Sequence, residues 1–205
     1  MRNICVRAAL SGDGIILQDL QVENTAGAEK QQAVALRMSA DRAVINRCRL
    51  DGYQDTLYAH QLRQFYRDCA VSGTVDFVFG NAAAVLQGCV LTARRPARAQ
   101  KNAFQTFLGR PWKEYSRTVY MLSYLDSHVD PRGWLEWNGA DFALKTLFYG
   151  EYQNQGPGAG TAGRVNWPGY HVITDQSVAM QFTVGQFIQG GNWLKATGVN
   201  YNEGL

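Results

Sequence analysis

Two aspartates occupy equivalent places in consecutive repeats, and that placement makes a reaction possible. Cys48-Arg49-Leu50-Asp51-Gly52-Tyr53-Gln54-Asp55 aligns with Cys69-Ala70-Val71-Ser72-Gly73-Thr74-Val75-Asp76. If each repeat is one coil of a stacked parallel sheet, Asp55 and Asp76 lie one strand spacing apart, ~4.8 Å. Two carboxylates that close do not both ionise easily, so one tends to keep its proton while the other stays charged. A proton donor beside an ionised nucleophile is a hydrolase arrangement. Either Asp alone reads more simply as a turn residue; the repeat equivalence is what favours chemistry. No Gly-x-Ser-x-Gly elbow occurs, which argues against a serine esterase. His60, His128 and His171 are far apart and no Cys-x-x-Cys occurs, so no metal site and no cofactor are implied.

The elements that must position the pair form a degenerate repeat. Its copies are Leu17 to Asn24, Ala43 to Gly52, Gln64 to Gly73 and Ala84 to Thr92. Each alternates apolar and polar residues and ends at or near a turn former, as a short half-buried strand should. Further strand-like runs lie between them at Ala33 to Met38, Thr56 to Ala59 and Val75 to Phe79, and another at Arg117 to Leu122. A period of ~20–28 residues without helical patterning predicts a β-solenoid with two or three strands per coil. The leucine-rich-repeat template is absent. Beyond residue 140 the pattern changes: Gln153 to Gly160 is loop, and Ser177 to Phe187 reads as helical. The tail to Leu205 is expected to pack across the solenoid and cap an open edge. No linker stands out, so residues 1–205 read as a single domain.

Composition fits a globular chain of 205 residues with 46% apolar residues. No apolar run approaches the ~20 residues of a membrane span. A net charge of +3 is mild, and the basic run Arg94 to Lys101 reads as a solvated loop that could attract an acidic polymer. It lacks the interleaved aromatics of a single-strand nucleic-acid binder. Cys48, Cys69 and Cys89 recur with the repeat, and Cys5 stands apart. Equivalent cysteines in neighbouring coils could pair or could remain buried and reduced.

Several longer motifs occur in order. Gln32 to Arg37, Gly52 to Tyr58, Gly73 to Asn81, Leu108 to Glu114, Gly133 to Trp137 and Gly163 to Tyr170 together resemble the plant-type pectin methylesterase (pectinesterase) family, from about Ser11 to Leu205. The resemblance implies an all-β, right-handed parallel β-helix with long loops. It also implies roles residue by residue. Asp76 looks like the nucleophile that attacks a galacturonate C6 methyl ester, and Asp55 like the general acid and then base. Gln54 and Gln32 resemble the amides that stabilise the oxyanion. Arg110 is similar to the arginine that keeps the nucleophile ionised, and Trp112 to a substrate-contacting aromatic. Tyr58, Phe79 and Trp134 are further candidate subsite aromatics. Cys69 and Cys89 correspond to a disulfide of plant members. The implied partners are methyl-esterified pectin and a proteinaceous pectinesterase inhibitor, with no nucleic acid and no membrane. The implied form is a monomer, and the implied location is the cell wall after secretion, although this chain carries no signal peptide.

The chain departs from the family pattern in two places. Family catalytic domains have several coils upstream of Gly12-Asp13-Gly14. The stretch between Gln100-Lys101-Asn102 and Leu108-Gly109-Arg110 is also shortened to Ala103-Phe104-Gln105-Thr106-Phe107, roughly one coil or more on a ~20–28-residue period. Two other readings follow: an inactive, truncated relative, and another pectin-active β-helix enzyme such as a polygalacturonase or a lyase. Gln32 and Gln54 beside the carboxylates suit acyl transfer better than glycosyl transfer.

Overall fold

The computed structural model describes residues 2–4, 7–27, 34–94 and 105–205. The chain divides into two compact units, Met1–Ala99 with Thr183–Leu205, and Gln100–Phe182.

The first unit is a parallel β-helix of three sheets. One sheet stacks β1 (Arg2–Ile4), β4 (Leu20–Glu23), β7 (Arg49–Asp51), β10 (Ala70–Gly73) and β13 (Val90–Ala93) in that order. A second stacks β2 (Ala8–Ser11), β5 (Leu36–Ser39), β8 (Leu57–Ala59) and β11 (Val78–Gly80). The third stacks β3 (Ile16–Gln18), β6 (Ala43–Asn46), β9 (Arg63–Arg67) and β12 (Ala83–Gln87). Each coil contributes one strand to every sheet, and all pairings are parallel. Inward residues from the three sheets, including Val22, Leu36, Ile45, Leu50, Leu57, Tyr66 and Val71, form one core. Strand alternation sends every second side chain there.

Each copy expected as a single strand is in fact two strands meeting at a corner. The corner residue has a left-handed backbone: Asp19 (φ 56), Arg47 (φ 50), Asp68 (φ 50) and Gly88 (φ 67). Backbone bonds ladder these corners, from Asp19 N to Asn46 O at 3.1 Å, Arg47 N to Arg67 O at 2.8 Å and Asp68 N to Gln87 O at 3.1 Å. A polar residue at the corner leaves the alternation unbroken, so the bend is invisible to periodicity.

The third sheet also corrects the half-buried expectation. β6 is buried along its whole length, and Val44 on it and Phe65 on the neighbouring β9 point outward yet are fully covered. The cover is the C-terminal tail: Val184, Ile188, Trp193, Leu194 and Val199 pack on Val44 and Phe65. Gln87 fastens it, donating from Nε2 to Asn202 O at 3.0 Å and accepting from Asn202 N at 2.8 Å. The tail therefore covers a sheet face rather than capping an edge.

The second unit holds a parallel sheet of β14 (Arg117–Met121), β15 (Phe148–Tyr152) and β16 (Tyr170–Val172). Leu108, Leu125, Val129, Trp134, Leu147 and Tyr149 form its core. Glu151, buried, accepts from Arg164 Nε at 2.8 Å, Arg164 Nη2 at 3.0 Å, Tyr170 Oη at 3.1 Å and Trp134 Nε1 at 3.3 Å. Such satisfaction is what a buried ion pair requires. The helix expected over Ser177 to Phe187 is two short ones, α1 (Gln176–Met180) and α2 (Val184–Phe187). Thr183 separates them by taking an extended backbone (φ −76, ψ 165) at the second N-cap.

Candidate active site

Asp55 and Asp76 lie on the crossings that lead from the first sheet of the β-helix to the second. Register is the same on both sides: Asp51 pairs with Ser72 before the crossing, and Leu57 with Val78 after it. The two crossings have equal length, so Asp55 falls opposite Asp76. Both residues have the left-handed backbone, φ 64 and φ 50, and so aim their side chains alike. The crossings are bonded along their length: Gly52 N to Ser72 O at 3.1 Å, Thr74 N to Tyr53 O at 2.8 Å, Asp55 N to Val75 O at 3.1 Å and Leu57 N to Phe77 O at 2.9 Å. Asp55 is thus anchored to the residue that precedes Asp76. One strand spacing, ~4.8 Å, separates equivalent backbone positions. Both side chains are part-exposed, and Gln54 adjoins Asp55 on the same crossing.

Small and polar residues make the stacking possible. A side chain at Gly73 would place its Cβ 2.5 Å from Thr56 Oγ1 and from Tyr53 O, so only glycine lets the crossings approach. Thr56 Oγ1 donates to Ser72 O at 2.9 Å. Asp51, behind the crossing, accepts from Ser72 Oγ at 2.6 Å, Arg49 Nε at 2.6 Å and Gln21 Nε2 at 3.1 Å. Burial opposes its charge, but the bonds from Arg49 and Ser72 and the nearby Arg49 and Arg94 charges outweigh that and hold the carboxyl below its usual range. Arg94 ends the next coil. Its backbone N bonds Gly73 O at 2.6 Å. Its Nη1 reaches Gly52 O at 2.8 Å, and its guanidinium lies 4.4 Å over the Tyr53 ring. One residue therefore grips both crossings just ahead of their aspartates.

Tyr58 and Phe79 follow on the outer face of the second sheet, partners in register and stacked at 4.4 Å with an interplanar angle of 9°. In the second unit, the Arg110 guanidinium lies 4.5 Å over the Trp137 ring, and Trp112 is 40% exposed with Lys113 Nζ 5.2 Å over it. The segment carrying both is fixed by Leu108 N to Gly133 O at 2.7 Å and Leu135 N to Gly109 O at 3.0 Å. Gly109 lies against the Trp134 ring, 3.2 Å from where a Cβ would be.

Comparison with known proteins decides the family. The Pectinesterase family model matches residues 5–105 and 98–191. The chain belongs to the pectinesterase family. It is 57% identical over 231 aligned positions to pectinesterase 3 of Solanum lycopersicum, covering 96% of this chain and 42% of that protein. A pectinesterase/pectinesterase inhibitor of Ficus pumila var. awkeotsang is 55% identical over the same share. Among solved structures, the pectin methylesterase from carrot superposes with a TM-score of 0.89 at 46% identity, over 96% of this chain and 73% of that one. The Aspergillus niger pectin methylesterase gives 0.72 at 29% identity, over 91% and 68%. The chain thus spans less than half the length of the curated relatives it matches. The fold is the right-handed parallel β-helix of these pectinesterases. The aligned span of 231 positions exceeds all 205 residues of this chain, so the relative carries internal residues that are missing here. The two family-model matches meet at residues 98–105, where the shortened stretch was expected.

Several pectinesterase expectations need correction or lie out of view. Gln32, Cys5 and residues 95–101 of the basic run fall outside the described residues. Trp134, expected as a subsite ring, has no exposed surface and is stacked on Tyr149 at 4.3 Å in the core. Its indole N–H needs a buried acceptor, and Glu151 supplies one. Cys69 and Cys89, expected to be bridged, are free thiols, as is Cys48. Each S–H has backbone acceptors: Cys69 on Ile45 O at 3.3 Å, Cys48 on Asn46 O at 3.4 Å and Cys89 on Tyr66 O at 3.5 Å. Three register-equivalent thiols satisfied in this way act as small core residues.

Sequence reasoning missed Arg94 and Trp137. Arg94 was hidden in a basic run that reads as solvated. Its only signal was position, since it continues the repeat after Thr92 and Ala93. Trp137 ends the Gly133 to Trp137 motif, but nothing in spacing marks it as the platform for Arg110.

Proposed function

We propose that this chain is a carboxylic ester hydrolase that removes methyl groups from the C6 esters of galacturonate units in pectin. The carrying observation is the stacking of Asp55 on Asp76 at one left-handed position of two adjacent coils, in a chain of the pectinesterase family. In this reading a carboxylate oxygen of Asp76 attacks the ester carbonyl carbon. The carbonyl electron pair moves to oxygen, and the resulting oxyanion is held by amide N–H groups, Gln54 beside Asp55 and Gln32 by its motif. Collapse breaks the bond to methoxide, and Asp55 supplies the proton that makes methanol. Asp76 is left in an acyl anhydride. Asp55, now a carboxylate, takes a proton from water, and the hydroxide attacks the acyl carbon. The products are a galacturonic acid carboxyl, which then gives its proton to solvent, the Asp76 carboxylate and a reprotonated Asp55. Ester and water have become acid and methanol.

Arg110 and Trp112 take roles that their motif alone suggests, charge support for the nucleophile and a sugar-facing ring. Tyr58 and Phe79 stand three residues beyond each carboxylate, stacked on each other at 4.4 Å, and are read as lining the site by their ring edges. The two compact units are read as parts of one catalytic domain. Action in the cell wall and susceptibility to a proteinaceous inhibitor are read from the plant relatives, three of which carry "pectinesterase inhibitor" in their names. The test is methanol release from highly methylated pectin by the purified chain, with Asp76→Asn as control. Release without new reducing ends is expected. Release no greater than the control's would defeat the esterase reading, and pectin binding without release would assign the chain a binding role instead.

A further inference from the structure

The second unit has a hollow of about 410 Å³ lined by no residue that the proposed reaction uses. Three stretches wall it: Glu114, the loop 141–146 and the segment 166–168. The walls are bonded to one another, so the hollow is formed before any ligand arrives. Thr146 Oγ1 donates to Glu114 O, and Gly169 N to Leu144 O at 3.0 Å. Within the loop, Thr146 N and Leu147 N both donate to Ala143 O, at 3.0 and 2.8 Å. Ala143 is held in the left-handed region at φ 63, which an alanine keeps only where its surroundings impose it.

Two kinds of group line the hollow. Phe142 is 42% exposed, and Trp167 is half-buried with part of its ring on the core of the unit. Neither stacks on another described ring. Glu114, Asp141, Lys145 and Asn166 supply the polar groups, and all four are exposed. Among the described residues, their side chains enter no hydrogen bond and no ion pair. The carboxylates accept, the ammonium donates and the amide does both. A ligand that meets such a mixture must donate and accept at closely spaced points, as neighbouring hydroxyls on a sugar do. The rings offer an apolar surface to the C–H side of that sugar, and the volume lies in the range of small-molecule pockets. Charge then selects among sugars. Two carboxylates against one ammonium leave the lining net negative, which disfavours a uronate and admits an uncharged unit.

We propose that this hollow binds a neutral sugar unit, a hexose or pentose of a branched polysaccharide. Its C–H side lies on Phe142 and Trp167, and its hydroxyls meet Glu114, Asp141, Lys145 and Asn166. The site is independent of the esterase reading, because it uses none of the groups assigned to that reaction. It tethers the chain to a polymer through a branch that carries no ester.

The experiment titrates a tetrasaccharide of galactose, one of arabinose and one of galacturonate into the complete chain, followed by calorimetry. At least one neutral tetrasaccharide is expected to bind, with an affinity that salt leaves unchanged. The two neutral probes tell a hexose from a pentose. Phe142→Ala should weaken the neutral ligand about tenfold, and an equal concentration of the galacturonate probe should leave it bound. No binding of either neutral probe up to about 10 mM, binding that Phe142→Ala leaves intact, or displacement by the galacturonate probe overturns the site. If Phe142→Ala melts early, Glu114→Gln combined with Asp141→Asn decides, since both side chains are exposed. That pair must weaken the neutral ligand about fivefold without lowering the melting temperature, and unchanged affinity ends the proposal. Methanol release is scored separately, so loss of the esterase reading leaves this site standing and loss of the site leaves that reading untouched.

Discussion

Two outer faces of the same β-helix are built from the same strand alternation and serve opposite ends. On the third sheet the outward residues Val44 and Phe65 are apolar and lie under the C-terminal tail. On the second sheet the equivalent outward row, an exposed Arg37 and the part-exposed Tyr58 and Phe79, runs beside the crossings that carry Asp55 and Asp76. The inner faces of both sheets feed one core. A solenoid can therefore fix its stability with one outer face and leave another for substrate, since each coil repeats the choice independently.

The sharpest break in this division is Asp76→Asn. Asparagine tolerates the left-handed backbone that Asp76 occupies at φ 50. Methanol release is expected to fall by about 10³-fold or more, while a urea melt shifts by less than about 1 kcal/mol. A comparable loss of stability would mean that the pair is structural. The mirror experiment is Phe65→Ala on the covered face. It should cost about 3–5 kcal/mol in denaturant unfolding and reduce hydrogen-exchange protection in residues 184–199, without changing the rate per folded molecule.

Arg94→Met tests a residue that joins structure to site. Leaving Gly52 O without its charged donor should cost about 1–3 kcal/mol and lower kcat by about tenfold with KM little changed, as expected for a positioning residue. A change in KM alone would remove that assignment. The smallest effect concerns Asp41, whose bonds to the Arg63 guanidinium hold its carboxyl down at about 2 against a burial effect that raises it. Arg63 also reaches Gln189 in the tail at 3.1 Å, on the rim of the covered face. A depressed folded-state value means this contribution is complete above the ordinary carboxylate range near pH 4 and is lost as pH falls toward about 2. Asp41→Asn should flatten the acid limb of the stability profile over that window, and an unchanged limb would show that other carboxyls dominate it.

Much of the fold was legible because a solenoid is local. The period, the strand-like runs and the equivalence of Asp55 and Asp76 depend on short-range alternation, and alternation is written in residue order. The corners at Asp19, Arg47 and Asp68 were not legible, since a left-handed polar residue keeps the pattern while turning the chain. Nor was the burial of Trp134, whose motif marked it as exposed, or the thiol state of Cys69 and Cys89. Those depend on which groups lie nearby in space.

Residue order by itself determined that two carboxylates fall at one place in successive coils, because equal spacing in a repeat becomes equal position in a stack. Tertiary structure alone decided that Arg94 clamps both crossings, that the tail covers one face, and that Glu114, Phe142 and Trp167 line one hollow. These facts join residues far apart in sequence, and only packing brings such residues within bonding distance.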